Sequence, residues 1–177
     1  MYAQLFVQIL AAASTAAAAT IERRACGETA KRVCFGRDGG VSQNIDVEDL
    51  QYVADLLRYE GKKAKGEAGE FYTMPSGLEC QEWGIDVAGA GTVYVLAKHI
   101  NPRTLSSVLL ADIADTLDGG VGGNTAGSLL GCGSGGGMMG VVANASNPAY
   151  NTDAYKASKA KPQDIIIKVV SSTPSAR

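Results

Sequence analysis

Three carboxylates in one short stretch are the first candidates for chemistry. Glu79, Glu82 and Asp86 lie close together in the sequence, and glycoside hydrolysis requires two carboxyl groups that flank a sugar in a cleft. Because side chains alternate along a strand, Glu82 and Asp86 would share one face and Glu79 would lie on the other. A solvated strand edge explains the same three residues, and we prefer that interpretation.

The stretch CQEWGI suggests a second kind of chemistry, because a helix precedes it as a helix precedes a similar Glu-Trp strand in small fungal guanyl-specific ribonucleases. The resemblance to these enzymes implies that Glu82 is the general base and His99 the general acid. It also implies that Arg103 or Tyr72 stabilises the phosphorane. A secreted ribonuclease-like hydrolase is therefore one alternative function.

The chain departs from the ribonuclease pattern in two ways. Those enzymes usually carry an arginine on the next strand and a further histidine near the C-terminus, whereas TVYVLAKHI contains no arginine and His99 is the only histidine. We therefore predict no catalytic residues. Glu82 is expected to be a strand carboxylate facing water, Trp83 a core residue, and His99 a strand-end side chain that hydrogen-bonds to backbone.

The glycine-rich segment matches a cofactor fingerprint only in its letters. Residues 131–136 fit G-x-G-x-x-G, but 11 of the 22 residues from 119 to 140 are glycine. A dinucleotide site also needs a long strand before this motif and a helix after it. Ser134 lacks the G-x-S-x-G frame of a nucleophile elbow because Cys132 replaces the first glycine. We expect no cofactor, no nucleophilic hydrolysis, and a flexible loop over residues 119–137 unless Cys132 restrains it.

The cysteines predict a disulfide framework. An even number in a secreted chain favours two bridges, and three pairings are possible, between which the sequence does not choose. A zinc site is disfavoured because there is no C-x-x-C pair and only one histidine, so we expect no metal. The four residues are Cys26, Cys34, Cys80 and Cys132.

The N-terminal residues predict export and processing. Residues 5–19 carry no charge, and the apolar run LFVQILAAA has the length of a secretory h-region, with small residues before Thr20 that suit cleavage. We therefore predict a signal peptide over residues 1–19. A pro-segment over residues 20–24 would end at the dibasic pair Arg23-Arg24, where two guanidinium groups suit the acidic pocket of a processing protease. This arrangement resembles secreted proteins of filamentous fungi.

Charge gives little reason to expect a nucleic-acid or membrane partner. The chain has 16 basic and 18 acidic residues, and removal of Glu22, Arg23 and Arg24 leaves 14 and 17, a net charge of −3. We expect no nucleic-acid binding and no stable membrane insertion. Asn144-Ala145-Ser146 is a sequon for N-glycosylation.

Hydrophobic periodicity places the first half of the elements. Residues 32–36 predict a short strand. In NIDVEDLQYVADLLRYEG the apolar residues recur at helical spacing, with Asn44 or Asp46 as the N-cap and Gly61 past the end. Two strands are predicted at 78–85 and 92–99, joined as a hairpin by DVAGAG.

The second half of the chain predicts another helix and two more strands. The helix should begin at Asn101-Pro102, which suits a cap followed by proline at the first helical position, and should end at Gly119-Gly120. Its buried stripe is expected to consist of Leu105, Leu109, Ile113 and Leu117. Strands are predicted over 138–145 and 164–170, and a disordered tail over 171–177.

These elements predict one α+β domain over residues 25–170, in which two helices pack on a mainly antiparallel sheet as an α/β sandwich of ferredoxin-like order. The stretch GTVYVLAKHINPRTLSSVLLADIADTLDGG, then LLGCGSGGG and DIIIKVV, resembles the layout of small secreted fungal killer-toxin-like and effector-like proteins. The resemblance implies a non-enzymatic effector or toxin that meets a host protein, a channel or a cell-wall component outside the producing cell. A cell-wall structural protein is the other alternative.

Overall fold

In the computed structural model, which describes residues 26–76 and 80–173, the strands form two antiparallel sheets. The strands are β1 (Val33–Cys34), β2 (Phe71–Thr73), β3 (Glu82–Ile85), β4 (Val93–His99), β5 (Ser107–Leu109), β6 (Gly137–Gly140) and β7 (Ile165–Ser171). The helices are α1 (Val47–Lys63), α2 (Leu110–Asp118) and α3 (Asp153–Ser158). The large sheet has the order β1-β6-β7-β4-β3, and β2 pairs with β5 in a separate two-stranded sheet.

Helix α1 forms as its sequence predicts. The Asp46 side chain caps the helix by accepting a hydrogen bond from the Glu48 N–H. The apolar positions Leu50, Val53 and Leu57 are buried at helical spacing. The helix was predicted to end before Gly61, but it continues to Lys63. Gly61 lies against α2, where an added Cβ would come within 3.3 Å of the Leu110 Cβ atom, so the two helices pack closely at this point.

The main core lies between these two helices and one face of the large sheet. Alternate residues of β4 and β7 point toward the helices, as the period of a strand requires. This core confirms the α+β class, with helices packed on an antiparallel sheet. Its members include Val93, Val95, Ala97, Ile165, Ile167 and Val169 from the strands, and Leu50, Val53, Ile113 and Leu117 from the helices.

The other face of the sheet is crossed by residues 26–32, which we call the N-terminal strap. Its Cys26 N–H donates to the carbonyl of Ile100, and its Ala30 carbonyl accepts from the Gly140 N–H at 2.9 Å. Between these points, the Glu28 carboxylate lies 2.9 Å from Lys98 Nζ and 2.6 Å from Lys168 Nζ. The strap therefore buries two lysines of the central strands against a carboxylate.

Two disulfides hold segments that have little regular structure of their own. Cys26–Cys80 fastens the strap beside the β3–β4 hairpin, and Cys34–Cys132 joins β1 to the glycine-rich segment. The two cysteines of the second bridge lie 98 residues apart in the sequence. The predicted loop over residues 119–137 is thus restrained by Cys132 and contains 3₁₀ turns at Thr125–Gly127 and Leu130–Gly135.

The predicted start of the second helix was wrong. Asn101 and Pro102 begin a turn instead, and residues 107–109 form β5, which pairs with β2. Helix α2 begins only at Leu110, and Leu105 is exposed. Pairing between segments far apart in sequence overrides the local capping signal here. The predicted end was right, because Gly119 caps α2 in the left-handed region with φ 94°.

Several other boundaries also differ from prediction. The strands expected at 32–36 and 138–145 are shorter, as β1 and β6, and within the described part of the strand expected at 78–85 only β3 is a strand. Strand β7 extends to Ser171, and the Ser172 N–H donates to the Thr92 carbonyl, so the predicted disordered tail does not begin at 171. Strand β2 and helix α3 were not predicted.

None of the helices within 26–76 and 80–173 is long and apolar enough to cross a membrane. The predicted signal peptide and pro-segment, including Arg23 and Arg24, lie outside the described residues, and so does Glu79.

Candidate functional site

The residues of the ribonuclease-like alternative do not form one site. Glu82 pairs with Lys98 across the β3–β4 hairpin, so it projects from the sheet face that the strap covers. His99, one residue further along β4, projects from the opposite face, is only 4% exposed, and has its Nε2 atom 3.3 Å from the Pro75 carbonyl. A base and an acid on opposite faces of a sheet cannot act on one phosphodiester. His99 is bonded to backbone, as predicted.

The other two residues of that alternative also have separate surroundings. Arg103 is exposed in the turn after β4, where its backbone N–H donates to the Asn101 side chain. Tyr72 packs against the main core, and burial raises the pKa of its hydroxyl to about 12. Trp83 is half-buried against the same core, which agrees with its predicted place.

Glu82 is an exposed carboxylate on strand β3, as predicted, and it also takes part in an ion-pair network. Its Oε1 atom lies 2.5 Å from Lys168 Nζ, which also contacts Glu28. Burial opposes the charge on Lys168, but hydrogen bonds to Glu28 and Glu82 outweigh it and raise the pKa of the lysine. Together with Lys98, the network joins the strap to β3, β4 and β7. Asp86 lies exposed beyond the end of β3.

The strongest candidate site is a cavity of about 410 Å³ between α2 and the glycine-rich segment, which we call the α2 pocket. One wall is helix α2 and its Gly119 cap, a second is the glycine-rich segment, and a third is the chain that follows β6. The lining residues are Asp112, Asp115, Thr116, Gly119, Asn124, Gly127, Ser128, Met139, Val142, Ala143 and Asn144.

Asp112 is the most distinctive residue of the α2 pocket. It is only 3% exposed, yet it carries a carboxyl group. Its Oδ2 atom accepts a hydrogen bond from the Tyr150 hydroxyl at 2.5 Å and another from the Asn144 N–H at 3.2 Å. The same Tyr150 hydroxyl accepts from the Leu109 N–H at 2.8 Å. No described residue donates to Asp112 Oδ1, which leaves this oxygen open to a ligand.

Burial gives this carboxyl group unusual electrostatics. It raises the pKa of Asp112 above its ordinary value, although hydrogen bonds from Tyr150 and Asn144 favour the ionised form. The neighbouring carboxylate of Asp115 also raises this pKa. A perturbed carboxyl group in a concave, largely apolar pocket is a mark of functional sites.

Asp115 contributes a second carboxylate that is already paired. Its Oδ1 atom lies 2.9 Å from the Arg58 guanidinium, which also contacts Asp118 at 2.9 Å and Asp55 at 3.3 Å. Hydrogen bonds to Asp115 and Asp118 raise the pKa of Arg58 in spite of its burial. One arginine between α1 and α2 therefore pairs with three carboxylates. Because the carboxylates outnumber the arginine, the surface beside the pocket remains acidic.

Local hydrogen bonds set the shape of the other walls. Thr116 Oγ1 donates to the Asp112 carbonyl at 2.7 Å and accepts from the Val142 N–H at 3.1 Å, which fastens the chain after β6 to α2. In the glycine-rich segment, Asn124 Oδ1 accepts from the Gly127 N–H and Ser128 Oγ donates to the Thr125 carbonyl. Both lining hydroxyls thus donate to backbone, and neither is arranged as an activated nucleophile.

Neither Asp112 nor Tyr150 was among the candidate residues predicted from the sequence. The signal for Asp112 was present, because Leu109, Asp112, Ile113, Thr116 and Leu117 follow the spacing of a buried helix face. Two polar residues on such a face imply a buried polar network. Tyr150 gives no comparable signal, since its contact with Asp112 spans 38 residues.

Asn144, the predicted glycosylation site, lies at the rim of the α2 pocket. Its side chain is exposed, and its Oδ1 atom accepts from the Ser146 N–H in a local turn. The sequon is therefore accessible, and its glycosylation stays a prediction.

A second cavity, of about 240 Å³, lies beside the aromatic cluster of Phe71, Tyr150 and Tyr155. The hydroxyl of Tyr155 donates to the Ser107 carbonyl at 2.8 Å, and Thr73 and Ser107 share a hydrogen bond, so its main polar groups are paired within the protein. The α2 pocket, by contrast, is lined by a buried carboxylate, Asp112, with one oxygen that accepts no hydrogen bond from a described residue.

Comparison with known proteins identifies no homologue. No protein-family profile, no curated protein and no solved structure matches the chain.

Proposed function

We propose that this protein is secreted and acts outside the producing cell as a non-enzymatic binding protein, with the α2 pocket as its ligand site. The observation that carries the proposal is the Asp112 carboxylate, which Tyr150 and Asn144 hold in place while one oxygen remains open to the cavity. A rigid polar group in a largely preformed cavity suits recognition.

The arrangement of the pocket supports binding in preference to turnover. Glycoside hydrolysis needs two carboxyl groups in different protonation states, both free to reach the substrate. Asp112 has only one open oxygen, and Asp115 is held in an ion pair with Arg58 at 2.9 Å. Glu82 and His99, the pair that would serve a ribonuclease, project from opposite faces of the sheet.

The covalent framework supports an extracellular location. Two disulfides form among the four cysteines, and such bridges persist in oxidising compartments. The predicted leader over residues 1–19 and the dibasic pair Arg23-Arg24 support the same proposal from sequence. An effector-like or toxin-like role, of the kind that the fungal resemblance implies, fits a small cross-linked binding protein.

Export is tested by expressing the full chain with its own N-terminus in a secreting fungal host. We expect the protein in the medium, beginning at Ala25, with all four cysteines oxidised as Cys26–Cys80 and Cys34–Cys132. Mass spectrometry of intact and reduced material from the medium gives the N-terminal residue and the disulfide pairing. Retention inside the cell with free thiols would overturn the proposed location, and sedimentation of the exported protein with insoluble wall polysaccharide would favour the structural alternative.

The binding role is tested on the same material by amide chemical-shift mapping. The probes are four separate classes of small molecule: amines, sugars, nucleotides and carboxylates. We expect one class to shift the amides that line the α2 pocket. The proposal fails if no class does so, or if the protein cleaves guanine-containing RNA and Glu82→Gln abolishes the cleavage.

A further inference from the structure

We propose that the α2 pocket binds an alkylammonium or guanidinium group, presented by a lysine or arginine side chain of a basic polypeptide partner. This inference rests on the proposed function, because it names the class of ligand for the same pocket. It follows from the charge, the open oxygen and the apolar wall of the cavity.

The charge of the pocket is negative and only partly balanced. The residues that line it include two carboxylates, Asp112 and Asp115, and no lysine, arginine or histidine. Arg58 pairs with Asp115 from outside the lining. Arg32 approaches the glycine-rich wall, but its guanidinium donates to the backbone carbonyls of Ala126 and Ser128. Asp112 therefore has no cationic partner among the described residues.

The open oxygen of Asp112 favours a charged donor over a neutral one. A carboxylate that is 3% exposed has lost most of its hydration, and this loss is only partly offset by neutral donors such as the Tyr150 hydroxyl. A cation that donates to Oδ1 supplies both a hydrogen bond and a compensating charge, and charge-assisted hydrogen bonds are about twice as strong as neutral ones. A sugar hydroxyl would supply only the hydrogen bond and no compensating charge.

The apolar wall suits the stem of a basic side chain. Met139, Val142 and Ala143 line the pocket together with the carboxylates, and Val142 is 63% exposed. Lysine and arginine carry three or four methylene groups that pack on apolar surface while the charged end reaches a polar partner. A sugar ring would instead favour an aromatic platform, and the lining contains none.

A bare metal ion fits the pocket less well than an organic cation. Calcium takes about six to eight oxygen ligands, whereas Asp115 is already paired with Arg58 and one Asp112 oxygen is already occupied. No group of three potential metal-ligating side chains occurs within residues 26–76 and 80–173.

The test uses the exported protein with the Ser146→Ala substitution, which removes the sequon and any glycan at the rim. The probes are N-acetyl-lysine methylamide and N-acetyl-arginine methylamide, with N-acetyl-norleucine methylamide as an uncharged analogue of similar stem length. Chemical shifts of the pocket amides report the site, and titration gives Kd. We expect both basic probes to bind at least about tenfold more tightly than the norleucine probe, which is the effect of one charge-assisted contact.

Asp112→Asn is the matched variant. The asparagine side-chain oxygen can still accept from Tyr150 and Asn144, while its NH₂ group replaces the open oxygen and opposes a cationic donor. We expect the basic probes to lose at least about tenfold in affinity for this variant. Asp153→Asn is the control, because Asp153 is exposed in the first turn of α3 and does not line the pocket.

The outcomes separate this inference from the proposed function. If glucose or a nucleotide shifts the pocket amides and the basic probes do not, the pocket is a binding site but the inference is wrong. If no probe of any class shifts them, both fail. Equal affinity for the norleucine probe, or unchanged affinity in Asp112→Asn with a native amide spectrum, also overturns the inference. Tighter binding of butylammonium than of the capped lysine would indicate a free amine as ligand in place of a polypeptide.

Discussion

At the scale of single residues, the hydroxyl of Tyr150 makes two hydrogen bonds beside the pocket. It donates to Asp112 Oδ2 and accepts from the Leu109 N–H, and its residue is 6% exposed. One oxygen therefore joins the start of α2, its first buried carboxylate and the chain before α3. When a buried group loses its only partner, the full desolvation penalty appears in stability.

Tyr150→Phe should consequently lower the free energy of unfolding by about 1–3 kcal/mol, because it leaves the Leu109 N–H without its acceptor and Asp112 with one donor fewer. Asp112→Asn should change stability by less than about 1 kcal/mol, since an amide oxygen can replace Oδ2. Urea unfolding of both variants measures the difference. A loss for Tyr150→Phe no larger than that for Asp112→Asn would contradict this account.

The pH dependence of stability provides a separate test of Asp112. Its pKa lies above the ordinary value of 3.8 in the folded protein, so the folded state retains this proton to higher pH than the unfolded chain does. The contribution of Asp112 to stability therefore falls as pH rises from its ordinary pKa through the raised one. Asp112→Asn should gain stability relative to the natural chain over this interval. Urea midpoints measured from acidic to neutral pH report the trend, and a constant difference would contradict it.

At the scale of elements, the disulfide Cys34–Cys132 determines whether the glycine-rich wall of the pocket keeps its shape. The segment has few side chains to pack, and glycine loses more backbone entropy on ordering than any other residue. The bridge reduces that loss by restricting the unfolded chain. The bridge Cys26–Cys80 does the same for the strap, on the other face of the sheet.

Replacing Cys34 and Cys132 by serine should lower the free energy of unfolding by about 2–5 kcal/mol. It should also speed amide hydrogen exchange in residues 119–131, which form the pocket wall. The matched control replaces Cys26 and Cys80, and should leave exchange in that segment unchanged while it loosens the strap. Identical exchange patterns in the two variants would show that the bridges do not act locally.

Local signals predicted some elements and not others, for identifiable reasons. Helix α1 carries its cap, its apolar stripe and its acidic first turn within one window, so its start could be predicted. Strands β2 and β5 are three residues each and are stabilised by pairing with one another, which no local window contains. For the same reason the α2 pocket could not be predicted, because its walls come from three separate parts of the chain.

At the scale of the whole molecule, buried tyrosines link stability to alkaline pH. Burial raises the pKa of Tyr72 and of Tyr155 to about 12, and burial also raises that of Tyr150. The unfolded chain loses these protons near the ordinary value of 10.0. Stability from Tyr72 and Tyr155 is therefore complete below that value and is lost as pH rises through it toward about 12, and the raised pKa of Tyr150 adds a loss of the same sign.

We accordingly expect the urea midpoint to fall steadily once the pH exceeds about 10. Absorbance of tyrosinate should lag behind that of free N-acetyl-tyrosinamide until the protein unfolds. Tyr155→Phe should reduce the alkaline loss of stability. A protein in which every tyrosine titrates with the free compound while still folded would contradict this expectation.

The fold class could be predicted from the sequence because it depends on summed patterns of apolar residues, which tolerate errors in single boundaries. The site depends on individual atoms. Glu82 and His99 appear related in sequence because they lie on adjacent strands, but alternation of side chains separates them. Asp112 and Tyr150 appear unrelated, and packing brings them to 2.5 Å.

The position of β7 has a consequence for biosynthesis. This strand lies at the centre of the large sheet, between β6 and β4, yet it follows every other strand in the sequence. While the chain emerges from the ribosome, β4 and β6 each have an edge that lacks its partner β7. Such unpaired edges can pair wrongly with neighbouring chains. The large sheet can close only after Ser171 has left the exit tunnel, so assembly of this protein is necessarily a late event in the life of the nascent chain.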